Sequence, residues 1–293
     1  MNMQIKLLWI LLAFGLQSCG QNNKQGGTNS LMEFQQEEKH NKYIHLQGMS
    51  ISERFITPAG FQRKEVTEGS FAQYLRKLPL KPHGAKVLFY NGEEKPAKGI
   101  YSAAIDLPIG DKNLHQCADA IIRLRAEYLW SHQQYQRIHF RLTNGFRVDY
   151  SEWMKGKRIR VQDNRAWWTD SGEPSNTHRD LQNYLETIYM YAGTLSLERE
   201  LQSIPATELQ PGDVFIQGGS PGHAVIVVDL SINQQTGEKL FLLAQSYMPA
   251  QELQILVNPE NQQISPWYSL EFGDKLITPE WTFDASDLKR FRQ

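Results

Sequence analysis

One stretch carries the strongest helical pattern in the chain. In "LHQCADAIIRLRAEYLW", residues 114–130, the side chains of Leu114, Cys117, Ile121, Leu124 and Tyr128 recur at three- and four-residue steps and share a face. Asp111 or Asn113 is placed to cap its start. Shorter helices are expected at 70–80, where Ser70 precedes Phe71, Tyr74, Leu75 and Leu78, and at 180–201, with Gly193 as a break. Residues 30–47 are polar with helical spacing and read as surface. Strand patterns fall at 85–90, 99–107, 136–142 and 209–217, then at "HAVIVVDL" (223–230) and "KLFLLAQSY" (239–247). The last two flank a loop containing Gly237, as in a hairpin. Residues 151–180, with several turn formers, read as an irregular excursion. The tail carries "PWYSLEF" and "PEWTF", expected to cover a sheet edge or rim. Helical pattern first and strands afterwards predicts an α+β fold with an N-terminal α/β extension.

The chain start has a different character. Lys6 precedes an apolar run from Leu7 to Leu16, too short to span a bilayer but suited to a secretory signal. It ends in Leu16-Gln17-Ser18-Cys19-Gly20, which resembles the lipobox of bacterial lipoproteins. The resemblance implies that 1–18 is a signal peptide, that Cys19 is lipidated, and that 19–49 includes a polar, glycine-rich tether. Gly20 after the cysteine, where inner-membrane retention uses Asp, points to a periplasm-facing outer-membrane lipoprotein. Its membrane contact would be the lipid anchor. Residues 50–293 are then expected to form one α+β domain.

Charge narrows the partners. The formal net charge is −1, with 31 basic and 32 acidic residues and no basic stripe, which argues against nucleic acid. The histidines show no zinc-ligand spacing, and there is no phosphate-binding glycine loop, so neither a metal nor a cofactor is expected. Of the two cysteines, only Cys117 would remain a free thiol after lipidation. A lone thiol in an oxidising compartment is either buried or reactive.

Chemistry enters at "GGSPGHAVIVVDL", 218–230, where a flexible loop leads to His223 at the mouth of an apolar strand. By itself His223 could close a turn, and Cys117 could be a buried apolar residue on its helix face. Together they allow more. A cysteine at a helix N-terminus feels the positive end of the dipole, which favours the thiolate. The unpaired amides there can receive an oxyanion. A histidine within reach can take the thiol proton, and a third polar group can fix its tautomer. If the 223–230 and 239–247 strands pair odd with odd, Gln245 or Tyr247 shares the face of His223; a one-residue slip presents Ser246 instead. Gln116 could lend an amide to an oxyanion hole, and Trp168, beside Trp167, could stack on a sugar ring. His115 reads as a solvated first-turn residue.

This order of a cysteine on a helix, then a histidine and a polar residue on adjacent strands, with "PGDVFIQGGSPGHAVIVVD", resembles the papain-like superfamily, notably its NlpC/P60 and CHAP branches. The resemblance covers about 108–250. It implies a cysteine-bearing helix packed on an antiparallel sheet. It also implies a cysteine peptidase or amidase, acting on peptide bonds such as those of peptidoglycan, with Cys117 as nucleophile, His223 as base and Gln245 as orienting residue. The sequence departs from that pattern at Gln116-Cys117-Ala118, where Asp or Asn usually precedes and Ser or Gly follows the cysteine. The third residue is more often His, Asn or Asp. "QCADAIIRLRAEYL", "TNGFRVDYSEWMKG" and "AQSYMPAQE" also look like segments of a bacterial lipoprotein family of unknown function. The alternative is a non-catalytic envelope lipoprotein that uses the same fold to bind a ligand or partner.

Overall fold

The computed structural model describes residues 42–96 and 99–292. The signal-like segment, Cys19 and most of the tether lie outside the described residues. In chain order the elements are α1 (Ile51–Arg54), β1 (Phe61–Arg63), α2 (Phe71–Arg76), β2 (Tyr101–Ala104), α3 (Cys117–Ser131), β3 (His139–Arg141), β4 (Arg147–Asp149), α4 (Tyr150–Trp153), β5 (Lys157–Gln162), β6 (Arg165–Asp170), α5 (His178–Tyr191), α6 (Thr194–Glu200), β7 (Gln202–Ser203), β8 (Val214–Gln217), β9 (His223–Asn233), β10 (Lys239–Gln245), β11 (Gln254–Leu256), β12 (Tyr268–Ser269), β13 (Lys275–Ile277), β14 (Thr282–Asp284) and β15 (Leu288–Arg290). This is an α+β fold.

Nine strands form the main sheet, in the order β2-β11-β10-β9-β8-β15-β7, with β1 on the far stretch of β9 and β12 on β10. Every pairing in it is antiparallel. Strands from 50–108 and from beyond 250 therefore complete the same sheet that β8–β10 centre.

The period-two alternation of β8, β9 and β10 divides apolar side chains between two faces. Val214, Ile216, Ala224, Ile226, Leu242 and Ala244 face one core, where α3 packs on β9 and β10 and to which Ile121 and Leu124 belong. Phe215, Val225, Val227, Phe241 and Leu243 face a second, smaller core closed by Tyr268, Leu276 and Phe283. Both faces of the central strands are covered, which is why β9 reads as an unbroken apolar run. Each fully buried Val, Leu, Ile or Phe side chain is worth about 1.5–3 kcal/mol relative to exposure.

Local expectations fared unevenly. Ser70 caps α2, its hydroxyl accepting from the Gln73 amide. Helix α3 begins at Cys117, but neither Asp111 nor Asn113 is its N-cap. Gln116 is, with its amide held by the Asp119 carboxylate at 3.1 Å. Residues 85–90 form no strand; Leu88 and Phe89 make only isolated bridges, to Glu94 and Gln251. Residues 42–47 are turns and a bridge rather than helix. The excursion at 151–180 contains an ordered hairpin, β5–β6, whose turn residues Asp163 and Asn164 both have positive φ, a conformation Asp and Asn tolerate. The aromatic tail does not merely rim the sheet: β13 and β14 pair with each other, and Phe283 enters the second core.

Candidate functional site

Gly222 explains the glycine-rich approach to His223. A Cβ there would collide with the Thr194 hydroxyl and would meet the carbonyl oxygens of Gly219 and Gln217 at 2.7 and 2.8 Å. Thr194 also lies 3.3 Å from both the amide and the carbonyl of Gly219, which anchors the loop to the start of α6. His223 then opens β9 opposite Gln217.

The side chain of His223 lies in the second core, 1% exposed. Its ring is 4.7 Å from that of Tyr247, 5.5 Å from Trp281 and 5.9 Å from Phe283. Nε2 meets Oε1 of Gln245 at 2.8 Å. The Gln245 amide nitrogen donates to Glu280 at 2.5 Å, and Lys95 donates to the same carboxylate oxygen at 2.6 Å. This chain fixes the tautomer. Glu280 accepts only, so the Gln245 NH₂ must face it and the amide oxygen must face the imidazole. Nε2 therefore carries the hydrogen, and Nδ1 is left with its lone pair. Burial pushes the His223 pKa down to about 4, with the Gln245 hydrogen bond opposing and the Lys95 charge assisting.

Register decides which residue meets His223. From Lys239 to Leu242, odd positions of β10 pair with even positions of β9, or even with odd. Between Leu242 and Leu243 the register shifts, and Leu243 pairs with Val227. That bulge converts the remainder of the hairpin to odd-with-odd pairing and turns Gln245 to the face of His223. Ser246 points elsewhere, its hydroxyl donating to the carbonyls of His115 and Gln251.

Cys117 is the first residue of α3 and is 8% exposed. The amides of Ala118, of Cys117 itself and of Ala224 favour its thiolate, as expected at a helix start. They do not prevail. Burial, with the Asp119 charge assisting, raises the thiol pKa to about 11, so the expected acidic thiol is corrected to a protonated one. Asp119 is itself pushed well above the usual carboxylate range by burial.

Cys117 and His223 both lie at the start of β9, on different sides and without contact. The thiol approaches the backbone amide of Ala224, whose side chain faces the α3 core. The imidazole turns to the other face with Val225, and no hydrogen bond joins it to the sulfur in this structure.

The remaining expected residues divide. Tyr247 stands against His223, and Lys95 is 5.8 Å from its ring centre. Gln116 lies beside Cys117, but its side-chain amide donates to Asn113 at 3.1 Å. Trp168 sits on β6 against Phe146 and joins none of these contacts. His115 is not solvated. It is 2% exposed, both ring nitrogens lack a partner, and burial drives its pKa to about 3. Among the described residues no group of three or more His, Cys, Asp or Glu side chains could hold a metal ion. No described helix is long and apolar enough to cross a membrane. Sequence reasoning missed Lys95, Glu280 and Trp281. The signal for the last two was "PEWTF", a carboxylate and aromatics packed into one short segment.

Comparison with known proteins places residues 51–290 in a family described as a domain of unknown function (4846), and the chain belongs to it. No curated protein and no solved structure matched the chain.

Proposed function

We propose that the protein is a cysteine hydrolase of papain-like design that cleaves an amide bond, with peptidoglycan peptides as a candidate substrate class. The reading rests on one observation: Nε2–H of His223 is committed to Gln245, which leaves Nδ1 as a free base one residue from Ala224, whose backbone amide the Cys117 thiol approaches; proton transfer requires the two side chains to close from their opposite faces of β9. In the reaction the Cys117 sulfur attacks the amide carbonyl carbon while its proton passes to Nδ1. The oxyanion is received by the amides of Cys117 and Ala118. The C–N bond breaks as Nδ1 returns the proton to the leaving amine, giving a thioester. Water then attacks the thioester, Nδ1 takes its proton, and the acid leaves as the thiol is restored.

The pKa values define the mode of this chemistry. With the thiol near 11 and the imidazole near 4, the resting pair is neutral thiol and neutral imidazole rather than an ion pair. His223 thus acts as a general base during attack. Gln245 positions it, and Glu280 and Lys95 position Gln245. The lipobox-like start suggests that the enzyme is held in the cell envelope, facing the periplasm.

The raised thiol pKa supports a second reading, in which the fold binds a ligand or partner without catalysis. The two separate by incubating the purified protein with peptidoglycan fragments and following amide cleavage by mass spectrometry. Products that vanish in Cys117→Ser and in His223→Ala support hydrolysis. Fragment binding without cleavage supports the binding reading.

A further inference from the structure

A cavity of about 540 Å³ opens between α2, the C-terminal half of α3 and the segment after β15. Arg125 of α3 lines it. The Arg125 guanidinium carbon is 5.3 Å from the ring centre of Phe71, 5.7 Å from Tyr128 and 5.3 Å from Phe291. Aromatic faces favour a cation but accept no strong hydrogen bond, so the planar donor set of the guanidinium is left unused. Arg125 makes no ion pair or side-chain hydrogen bond among the described residues.

The charges around it deepen the imbalance. Arg137 also lines the cavity. Burial and the Arg137 charge lower the Arg125 pKa to about 10. Lys64 lines the cavity too, and its ammonium has no ion pair among the described residues. Of the two lining carboxylates, Asp213 is committed to Arg290, at 2.6 and 2.9 Å, and Glu65 is exposed on the rim. Four basic groups, Lys64, Arg125, Arg137 and the paired Arg290, thus face two carboxylates across this space, an excess of two positive charges; Lys64 and Arg137 are exposed like Glu65, while Arg125 is half-buried with no carboxylate bonded to it. Solvent screens the two exposed cations, but at the half-buried Arg125 the excess charge is unfavourable and is relieved when an anion is held there.

We infer that this cavity is a binding site for a small oxyanion, carboxylate or phosphate, held by Arg125 with Arg137 and Lys64 beside it. The planar fork of Arg125 suits either group in two-point contact. Phe71 and Tyr128 offer a surface for an apolar part of the ligand. The inference is independent of the hydrolase reading, because Cys117 lies eight residues earlier on α3, about 12 Å along the axis.

The test is calorimetric titration of the full chain at constant ionic strength in chloride, with inorganic phosphate and citrate as probes. Arg125→Met is compared with wild type and with Arg179→Met, an exposed control on α5. The expected result is saturable binding of at least one probe, weakened tenfold or more in Arg125→Met and unchanged in Arg179→Met. Binding of phosphate alone, of citrate alone or of both assigns the ligand class. If circular dichroism shows that Arg125→Met is not folded, Lys64→Met/Arg137→Met at the rim must show the same loss. No saturable binding by folded wild type, or binding unchanged by the cavity substitutions, overturns the inference.

Discussion

Nε2 of His223 and Oε1 of Gln245 stand 2.8 Å apart because Val228 of β9 is left unpaired between the Asp229–Leu242 and Val227–Leu243 pairs, which shifts the β9–β10 register by one residue. The relationship ties backbone geometry to side-chain chemistry. A regular hairpin would send Gln245 to the opposite face. With the bulge, the imidazole is held with its basic nitrogen free.

The first prediction concerns this bond. Gln245→Leu leaves Nε2–H of His223 without its partner, while Glu280 loses one donor and keeps Lys95. A buried group left unsatisfied costs about 1–3 kcal/mol. Urea denaturation should therefore show a loss of about 2 kcal/mol with unchanged slope. Gln245→Glu, which keeps an acceptor for His223 but sets a carboxylate against Glu280, should raise the His223 pKa above that of wild type in an NMR titration.

Asp229 adjoins the same bulge, paired with Leu242. It is fully buried, pairs with Arg63 at 2.7 Å and Arg76 at 2.5 Å, and accepts from the Leu230 amide at 2.8 Å. Removing one partner from a buried charge network costs about 3–5 kcal/mol. Asp229→Ala should lose that much stability. The variant should also show weakened amide protection along β9 near residue 229, by hydrogen exchange, before β8 is affected.

Gly222→Ala should be harmful although it adds one methyl group. Two of the three atoms its Cβ would meet are backbone oxygens, which cannot rotate away. Overpacking of this kind costs about 1–3 kcal/mol. A thermal melt should show a lower Tm, and Thr194→Ala in the same chain should not restore it, because the Gly219 and Gln217 carbonyls remain.

Acid should destabilise the fold through two histidines. His223 and His115 have folded pKa values near 4 and 3, below the ordinary 6.5. The unfolded chain therefore binds more protons between those limits, so stability is complete above about pH 6.5 and falls as pH drops towards 4 and below. Denaturation midpoints measured from pH 7 to pH 4 should decline, and His223→Gln should flatten the upper part of that decline.

Much of this arrangement was legible in the chain. The period of 114–130 placed Cys117 on α3, and the apolar run after His223 marked β9, because both patterns answer to a single local rule. Gln245 was one of several candidates, since the bulge that selects it leaves no mark in the alternation of β10. Glu280 and Trp281 were hidden by distance: from a hairpin late in the chain, Trp281 packs against His223 and Glu280 holds Gln245. The helix start and the apolar face that carries Cys117 are both legible in sequence; which of the dipole and burial prevails is decided by tertiary packing. The burial of His115 depends on the same tertiary packing, which its place in the sequence does not show.

The central claim, that Cys117 and His223 act together, is tested most directly by the rate of iodoacetamide alkylation at the Cys117 peptide. The rate is followed by mass spectrometry against pH in wild type and His223→Ala. The account predicts a reaction that rises through an acid limb near pH 4, stays level through neutrality, and falls at least tenfold in His223→Ala at pH 7. A rate that simply climbs towards pH 11, unchanged by the substitution, would contradict it and leave Cys117 as a buried structural thiol.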